Sequence, residues 1–148
     1  MATSSTVVPV KTALVSLLTS AINDSTVQVL YGRPNDSLVQ RESVFVADVT
    51  YSAEVANVKA GRKQYDEDYS VDVVFTVARG RGVGADTEAR VFALFEFLRD
   101  LLADDVSLGG VDGLAWATLA SVTAQTAQES EGPVSVLVAT VKCRARIE

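Results

Sequence analysis

The chain has 148 residues, with 13 Lys and Arg against 19 Asp and Glu, which gives a formal net charge of −6. This length suits one ordinary domain, and the 48% share of hydrophobic residues argues against disorder. The acidic balance disfavours sequence-independent binding of nucleic acid, because such binding is normally carried by a basic surface.

Two residue counts exclude further classes of site. The chain has no histidine, which removes Ser-His-Asp and Cys-His catalytic arrangements and most zinc sites. Its one cysteine, Cys143, cannot form an intramolecular disulfide and is expected to be a buried, unreactive thiol.

No apolar stretch approaches the roughly 20 residues of a membrane span. No positive charge precedes Lys11, so a signal peptide is not expected.

The first half of the chain predicts one helix followed by three strands. Residues 1–8 are expected to be flexible, and the helix is expected to begin at Pro9, because apolar residues then recur along one stripe. Val27–Tyr31 and the segment 42–51 have the composition of strands. Over residues 62–77 apolar and polar residues alternate, which is typical of a strand with one buried face and one polar face.

The second half of the chain predicts a long helix and two further strands. The glycine-rich loop 79–85 precedes a helix that ends near Asp104. A strand around Trp116–Val122 and a final strand over 134–147 follow. The order α-β-β-β-α-β-β predicts an α+β two-layer sandwich in a single domain spanning 1–148. Its mainly antiparallel sheet of about five strands is expected to carry both amphipathic helices on one face.

The glycine-rich loop could hold a nucleotide or simply connect two elements. Gly80–Ala85 matches the spacing of a dinucleotide-binding loop, lies between a predicted strand and a predicted helix, and is followed by an acid about 20 residues later. Against that function, the preceding strand is buried on one face only, and the elements do not predict a doubly wound parallel sheet. A connecting loop that becomes ordered on a partner is the simpler interpretation.

The acidic run on the polar face of the third strand also has two interpretations. Asp66 and Asp68, with Asp72 on the same face, could be paired carboxylates for acid–base catalysis or a site for a hard cation. The alternative is a solvated surface, or ion pairs with basic residues of the last strand. No nucleophile, base or pocket accompanies these acids, so no catalysis, cofactor or metal is expected.

Aromatic side chains outside the predicted core indicate contacts between subunits. Phe92 and Phe97 lie on opposite flanks of the second helix, away from its core stripe, and Tyr31 and Trp116 lie in strands. A small two-layer domain cannot easily cover all four, so they are candidates for a subunit interface. The alternative is additional core at the border between the helices and the sheet.

Five short motifs follow the first predicted helix along the chain. They are Leu30–Pro34 (LYGRP), Arg41–Val46 (RESVFV), Arg62–Tyr69 (RKQYDEDY), Leu108–Val111 (LGGV) and Val141–Ile147 (VKCRARI). In this order, and over most of the chain, the sequence resembles the tail-terminator, or tail-completion, proteins of long-tailed bacteriophages.

The resemblance implies a structural virion protein and no enzyme. Tail terminators assemble as a ring, usually a hexamer, on the head-proximal end of the completed tail tube, where they stop polymerisation and dock to the head connector. The implied partners are further copies of the chain, the tail tube protein and the head connector or adaptor protein. The genome DNA passes through the ring without specific binding. The implied location is the tail or neck of the virion, and the host cytoplasm during assembly, with no membrane, cofactor or metal.

The candidate residues can be assigned to parts of such a ring. A cyclic ring needs two different contact patches on each subunit, which the four aromatic residues could supply. An acidic channel would repel the phosphates of passing DNA. The candidates for this channel lining are Asp66, Asp68 and Asp72. The candidate loops for contacts with partner proteins are marked by Arg33, Arg41, Arg62, Arg79 and Arg81.

Three other functions fit the sequence. A head-completion or connector-adaptor protein, or a minor tail protein of the same neck, would be similarly small, acidic and ring-forming. A small nucleotide-binding domain would instead use the loop Gly80–Ala85. A protein-interaction module that forms no ring is the third, and its oligomeric state would distinguish it.

Overall fold

The computed structural model describes residues 4–34, 41–59 and 62–147, which form two helices and five strands. In chain order these are α1 (Val7–Ile22), β1 (Val27–Tyr31), β2 (Glu42–Lys59), β3 (Arg62–Ala78), α2 (Gly84–Asp104), β4 (Leu114–Glu129) and β5 (Gly132–Ile147). The predicted element order and the α+β class are confirmed. No described helix is long and apolar enough to cross a membrane.

The five strands form one mixed sheet in the order β1-β2-β3-β5-β4. β1 runs parallel to β2 along Glu42–Val46, and the other three neighbouring pairs are antiparallel. β3 is the central strand, with β2 on one side and β5 on the other. The two edges of the sheet are therefore formed by different parts of the chain, β1 with the outer part of β2 at one edge and β4 at the other.

Both helices pack on the same face of the sheet, as predicted. The apolar stripe of each helix and alternate residues of the strands form one continuous core. Its fully buried members include Val10, Leu14, Leu18, Leu94, Leu98, Val71, Val73 and Phe75. Phe95 of α2 extends this core through an edge-on contact with Phe75, with 6.2 Å between the ring centroids.

The buried Lys11 holds a bulge in β2. The register of β2 against β3 shifts between Val46 and Val49. At this point Lys11 of α1 donates a hydrogen bond of 2.7 Å from Nζ to the carbonyl oxygen of Ala47, and its ammonium lies 4.4 Å from the centre of the Tyr31 ring. The helical pattern places Lys11 on the polar side of α1. Its side chain is buried instead, because the bulge and the ring together offer an acceptor and a cation–π contact.

Bulges in β4 place Trp116 and Val122 on opposite faces of the sheet, although simple alternation would place them on the same face. The register of β4 against β5 shifts twice in the first half of the strand. Trp116 therefore lies opposite Arg144, on the face away from the helices. Val122 lies opposite Ala139 and packs against the main core.

A buried carboxylate from β3 fixes the start of α1. Glu67 is fully buried, and its Oε1 accepts hydrogen bonds from the backbone N–H (2.9 Å) and the hydroxyl (3.0 Å) of Thr6, the N-cap residue. Its Oε2 accepts a bond of 2.7 Å from the hydroxyl of Tyr51 on β2. The first turn of α1 has no acid of its own, so Glu67 supplies the negative charge that a helix N-terminus favours.

This contact corrects the predicted start of the first helix. α1 begins at Val7 rather than Pro9, and Thr6, within the segment expected to be flexible, is buried. Residues 1–3 of that segment lie outside the described residues. The helix begins earlier because the carboxylate on the neighbouring strand satisfies N-terminal groups that the local sequence leaves unpaired.

The charge on Glu67 makes part of the stability depend on pH. Burial opposes its ionisation, but hydrogen bonds from Thr6, Ser5 and Tyr51 outweigh this effect, so the pKa of the carboxyl lies below its ordinary value of 4.5. Because the pKa of Glu67 is lower in the folded protein than in the unfolded chain, its ionised carboxylate stabilises the fold fully at pH values above the ordinary pKa of 4.5. This stabilisation is lost as the pH falls through the native pKa.

Glu67→Gln is expected to lower the free energy of unfolding by about 1–3 kcal/mol at neutral pH, because a buried set of donors loses its charged acceptor. Chemical denaturation followed by circular dichroism measures this change. The matched control is Glu54→Gln, which removes the same charge from an exposed position of β2. Equal effects of the two substitutions would contradict the role assigned to Glu67.

Candidate functional site

The charged residues gather on the face of the sheet opposite the two helices. Asp66, Asp68 and Asp72 lie together on this open face of β3, as their spacing predicts. The neighbouring strand β5 presents its basic stripe on the same face, because Asp66 pairs in register with Arg146 and Asp68 with Arg144. The structure thus brings the acidic run and the basic stripe into one cluster.

Ion pairs hold this cluster together. Arg146 donates from Nε to Oδ1 of Asp66 at 2.8 Å, and Arg144 donates from Nη2 to Oδ2 of the same carboxylate at 3.1 Å. Arg144 also lies 3.6 Å from Asp68. Asp72 takes no part in these pairs and accepts a hydrogen bond of 3.2 Å from the hydroxyl of Thr140. Of the alternatives for the acidic run, cross-strand ion pairing is therefore what the structure shows.

The electrostatic effect is strongest at Asp66. Its side chain is 11% exposed and lies between two guanidinium groups. The hydrogen bond from Arg146, followed by that from Arg144, holds the pKa of this carboxyl below its ordinary value of 3.8 despite some loss of hydration. Among the described residues, no group of three or more His, Cys, Asp or Glu side chains is placed to hold a metal ion.

A small apolar patch lies beside the charged cluster on the open face. Phe45, Ala47 and Val74 are buried there, next to half-buried apolar residues of β1 and β5. Sequence reasoning did not identify this patch. Its signal was Val74, the one apolar residue on the otherwise polar side of β3. The open face therefore has an apolar part at one end of the strands and a charged part at the other.

The four candidate interface aromatics do not form one surface. Phe92 is 37% exposed and contacts Phe95 edge-on, whereas Phe97 is half-buried against the main core. Tyr31 is 49% exposed at the end of β1. Trp116 is half-buried on β4, across the sheet from it. Two of these residues thus lie on the helix α2 and the other two at opposite edges of the sheet. Their role in subunit contacts stays a prediction.

Two of the arginines that are candidates for contacts with partner proteins form ion pairs within this chain. Arg33 pairs with Asp48 at 2.8 Å, and its guanidinium lies 5.9 Å from the centre of the Phe45 ring. Arg79 lies 3.4 Å from Glu42, which β2 presents on the helix side of the sheet. Both cations remain about half exposed, since their side-chain exposures are 57% and 47%. Each could therefore still reach a partner.

The other three candidate arginines lie near loops. The guanidinium of Arg41 lies close to Gly80, at the start of the glycine-rich loop. Arg81 is exposed within that loop. The side chain of Arg62 lies outside the described residues. The contacts assigned to these three residues stay predictions.

The glycine-rich loop lacks the surroundings of a dinucleotide site. β3, which precedes it, is antiparallel to both of its neighbours, whereas the fingerprint requires a parallel strand–helix–strand unit. The start of the loop is bound to the start of β5, because the N–H of Arg79 donates to the carbonyl oxygen of Pro133 at 3.1 Å. A Cβ at Gly132 would collide with the carbonyl oxygen of Arg79, so only glycine permits this close approach.

Cys143 and Tyr69 form a buried pair on the core side of β5 and β3. Cys143 is fully buried, and burial raises the pKa of its thiol to about 12. A thiol that stays protonated at neutral pH is a poor nucleophile. The prediction of a buried thiol is confirmed, and this cysteine adds no reactive group to the open face.

Comparisons with known proteins give a fold likeness but no family. No protein-family model matches the sequence, and no curated protein matches it significantly. Among solved structures, 26 chains match. One belongs to a structure described as "Virion of native gene transfer agent (GTA) particle", with a TM-score of 0.48, 12% identity, and coverage of 88% of this chain and 85% of that chain. A likeness at this level identifies neither a family nor a function.

Asp66→Asn is expected to destabilise the fold near neutral pH and to have a progressively smaller effect toward about pH 2. The native pKa of Asp66 is lowered, so its contribution is present above the ordinary value of 3.8 and is lost as protonation neutralises the wild-type side chain too. Urea denaturation of both proteins across this pH range measures the difference. The control Glu88→Gln removes one negative charge from an exposed position of α2. A destabilisation by Asp66→Asn that stays constant with pH would contradict the ion-pair assignment.

Proposed function

We propose that the chain is a structural virion protein of a long-tailed bacteriophage that forms a ring on the head-proximal end of the tail tube. In this role it stops tube polymerisation, joins the tail to the head connector and lets DNA pass. The sequence support is the order of five motifs over most of the chain. The structural support is a sheet with two unlike edges and an open face whose charged groups form ion pairs across strands.

The observation that carries a ring is the difference between the two edges of the sheet. A cyclic ring is built from heterologous contacts, so each subunit must offer two unlike patches on opposite sides. β1 and the outer part of β2 form one edge, and β4 forms the other. Tyr31 and Trp116 mark these two edges. This arrangement supplies unlike patches without any further domain.

The charges of the open face suit a channel that DNA crosses without being held. Arg144 and Arg146 donate to Asp66, and Arg144 also lies 3.6 Å from Asp68, so the two positive charges are balanced by two carboxylates of the same chain. A cation in such a pair releases fewer counterions from DNA and adds less to non-specific affinity. Asp72, which takes no part in these ion pairs, would repel phosphates. We therefore propose that the open face lines the channel as an ion-paired surface whose positive charges are largely balanced by acids of the same chain.

We also propose that the chain has no catalytic role. Asp66 and Asp68 are used in ion pairs, and Glu67 binds the N-terminus of α1. The function that competes most closely is therefore another ring of the same neck, such as a head-completion or connector-adaptor protein. That ring would bind portal rings rather than tube ends, and the two can be distinguished by assembly.

The test is capping of purified tail tubes by the full-length chain. Tubes polymerised with the chain present are expected to stop at a fixed length, with one additional ring at one end in negative-stain images. The bound mass is expected to be about six times the chain mass of 15.7 kDa. Portal rings of the same phage serve as the competing target.

The possible outcomes separate the proposals. Binding to portal rings and not to tubes would favour the connector-adaptor role. Unchanged tube growth, together with no binding to either target, would contradict the proposed function.

A further inference from the structure

The β4 edge lacks the usual protection of a sheet edge. β4 is 16 residues long, and from Leu114 to Gln128 it contains neither a charged residue nor a proline. Natural edge strands are normally short, charged, kinked by proline or covered, because their free N–H and C=O groups recruit other strands. The two bulges of β4 lie in its first half, and its pairing with β5 is regular from Ser121 to Glu129. Over that stretch no described strand covers its outer side.

The opposite edge of the sheet is also open. β1 pairs with β2 only along Glu42–Val46, so the outer side of β2 beyond Asp48 has no partner strand among the described residues. Every residue from Thr50 to Ala56 is exposed, including Tyr51 at 47% and Val55 at 52%. An exposed aromatic and an exposed aliphatic side chain at an open sheet edge are typical of a contact surface.

The directions of the strands allow these two edges to meet. β4 is antiparallel to β5, β5 to β3 and β3 to β2, so β4 runs antiparallel to β2 and to its parallel neighbour β1. In a ring whose axis follows the strands, β4 of one subunit would meet the β1–β2 edge of the next in antiparallel orientation. This is the orientation in which two strands can pair by direct, perpendicular hydrogen bonds.

The register of the strands indicates which residues at the two edges lie at the same height in the sheet and would face each other between neighbouring subunits. Thr50 on β2 pairs with Ser70, which pairs with Lys142 on β5, which in turn pairs with Thr118 on β4. Thr50 and Thr118 therefore lie in one row on the open face, at the two edges of the sheet, and both are exposed. In a ring without vertical offset, Thr118 of one subunit would face Thr50 of its neighbour.

We infer that the β4 edge binds the β1–β2 edge of a second copy of this chain, joining the sheets of neighbouring subunits into one continuous wall. In the rows of the sheet, Thr123 and Gln125 are level with β1, and Thr118 is level with the free part of β2. This inference rests on the proposed ring and identifies the contact that closes it. Closure pairs every edge, which explains how a long uncharged edge strand is tolerated. A symmetric β4–β4 contact would close a dimer and leave both β2 edges open.

The first test adds charge to the β4 edge. Thr123→Lys with Gln125→Lys places two lysines on exposed positions of the open face, and is expected to reduce the assembled mass sixfold, to that of the single chain. The melting temperature should stay close to that of the wild type. The matched control, Thr12→Lys with Ser16→Lys, adds the same charge to exposed positions of α1 and should keep the ring. Light scattering and thermal denaturation provide both readouts.

A second test identifies the partner edge. Thr50→Cys and Thr118→Cys are introduced separately and together, and a short bifunctional maleimide is added to the assembled protein; Cys143 is fully buried. The doubly substituted chain is expected to give a ladder of covalent oligomers, and the single variants no product. Dimers from Thr118→Cys alone would show a symmetric β4 contact and overturn the inference.

The remaining outcomes distinguish this inference from the proposed function. A lysine variant that keeps its ring and its tube capping overturns the edge contact and leaves the proposed function standing. A variant that keeps its ring but no longer caps tubes shows that β4 binds the tube protein, which also overturns the inference. A wild-type chain that forms no ring, alone or on tubes, overturns both.

Discussion

The alternation of side chains along β3 is the constraint on which the rest of this structure depends. β3 is the central strand, and its apolar residues Val71, Val73 and Phe75 form the floor on which both helices pack. The residues between them point to the opposite face and place Asp66 and Asp68 beside the arginines of β5. A shift of one residue in register would exchange the two faces, burying the acids and exposing the core. The one-sided burial of the sheet and the position of the charged cluster thus have the same origin.

The elements with strong periodicity could be predicted from the sequence. The helical stripes, the alternation over 62–77 and the shared face of the three aspartates are all confirmed. These features depend on patterns of two or 3.6 residues, which the local sequence displays directly. The pairing of Asp66 with basic residues of β5 is only one of the interpretations that the sequence allows. It could be decided only once the order of the strands was known.

The features that could not be predicted depend on contacts between distant segments. In the sequence Glu67 is the middle one of three consecutive acids, and nothing local distinguishes it from the other two. Its hydrogen-bond partner Thr6 lies 61 residues away in the chain. Lys11 lies on the polar side of a helical wheel, and only the bulge at Ala47 explains its burial. The bulges of β4 likewise move Trp116 to the open face. Local patterns report which face of an element is apolar, but they do not report which buried polar group will find a partner.

The absence of charge from Leu114 to Gln128 of β4 is the feature that most directly connects the fold to the proposed assembly. Two unlike sheet edges with antiparallel edge strands meet the requirement of the proposed ring for heterologous contacts, and the ion-paired open face fits the proposed channel. The most direct measurement is electron microscopy of the purified full-length chain, with class averages of single particles. The account predicts rotationally symmetric rings with a central channel. Particles that remain monomers, or form only two-fold dimers, both alone at concentrations up to about 100 μM and in the presence of tail tubes, would contradict it.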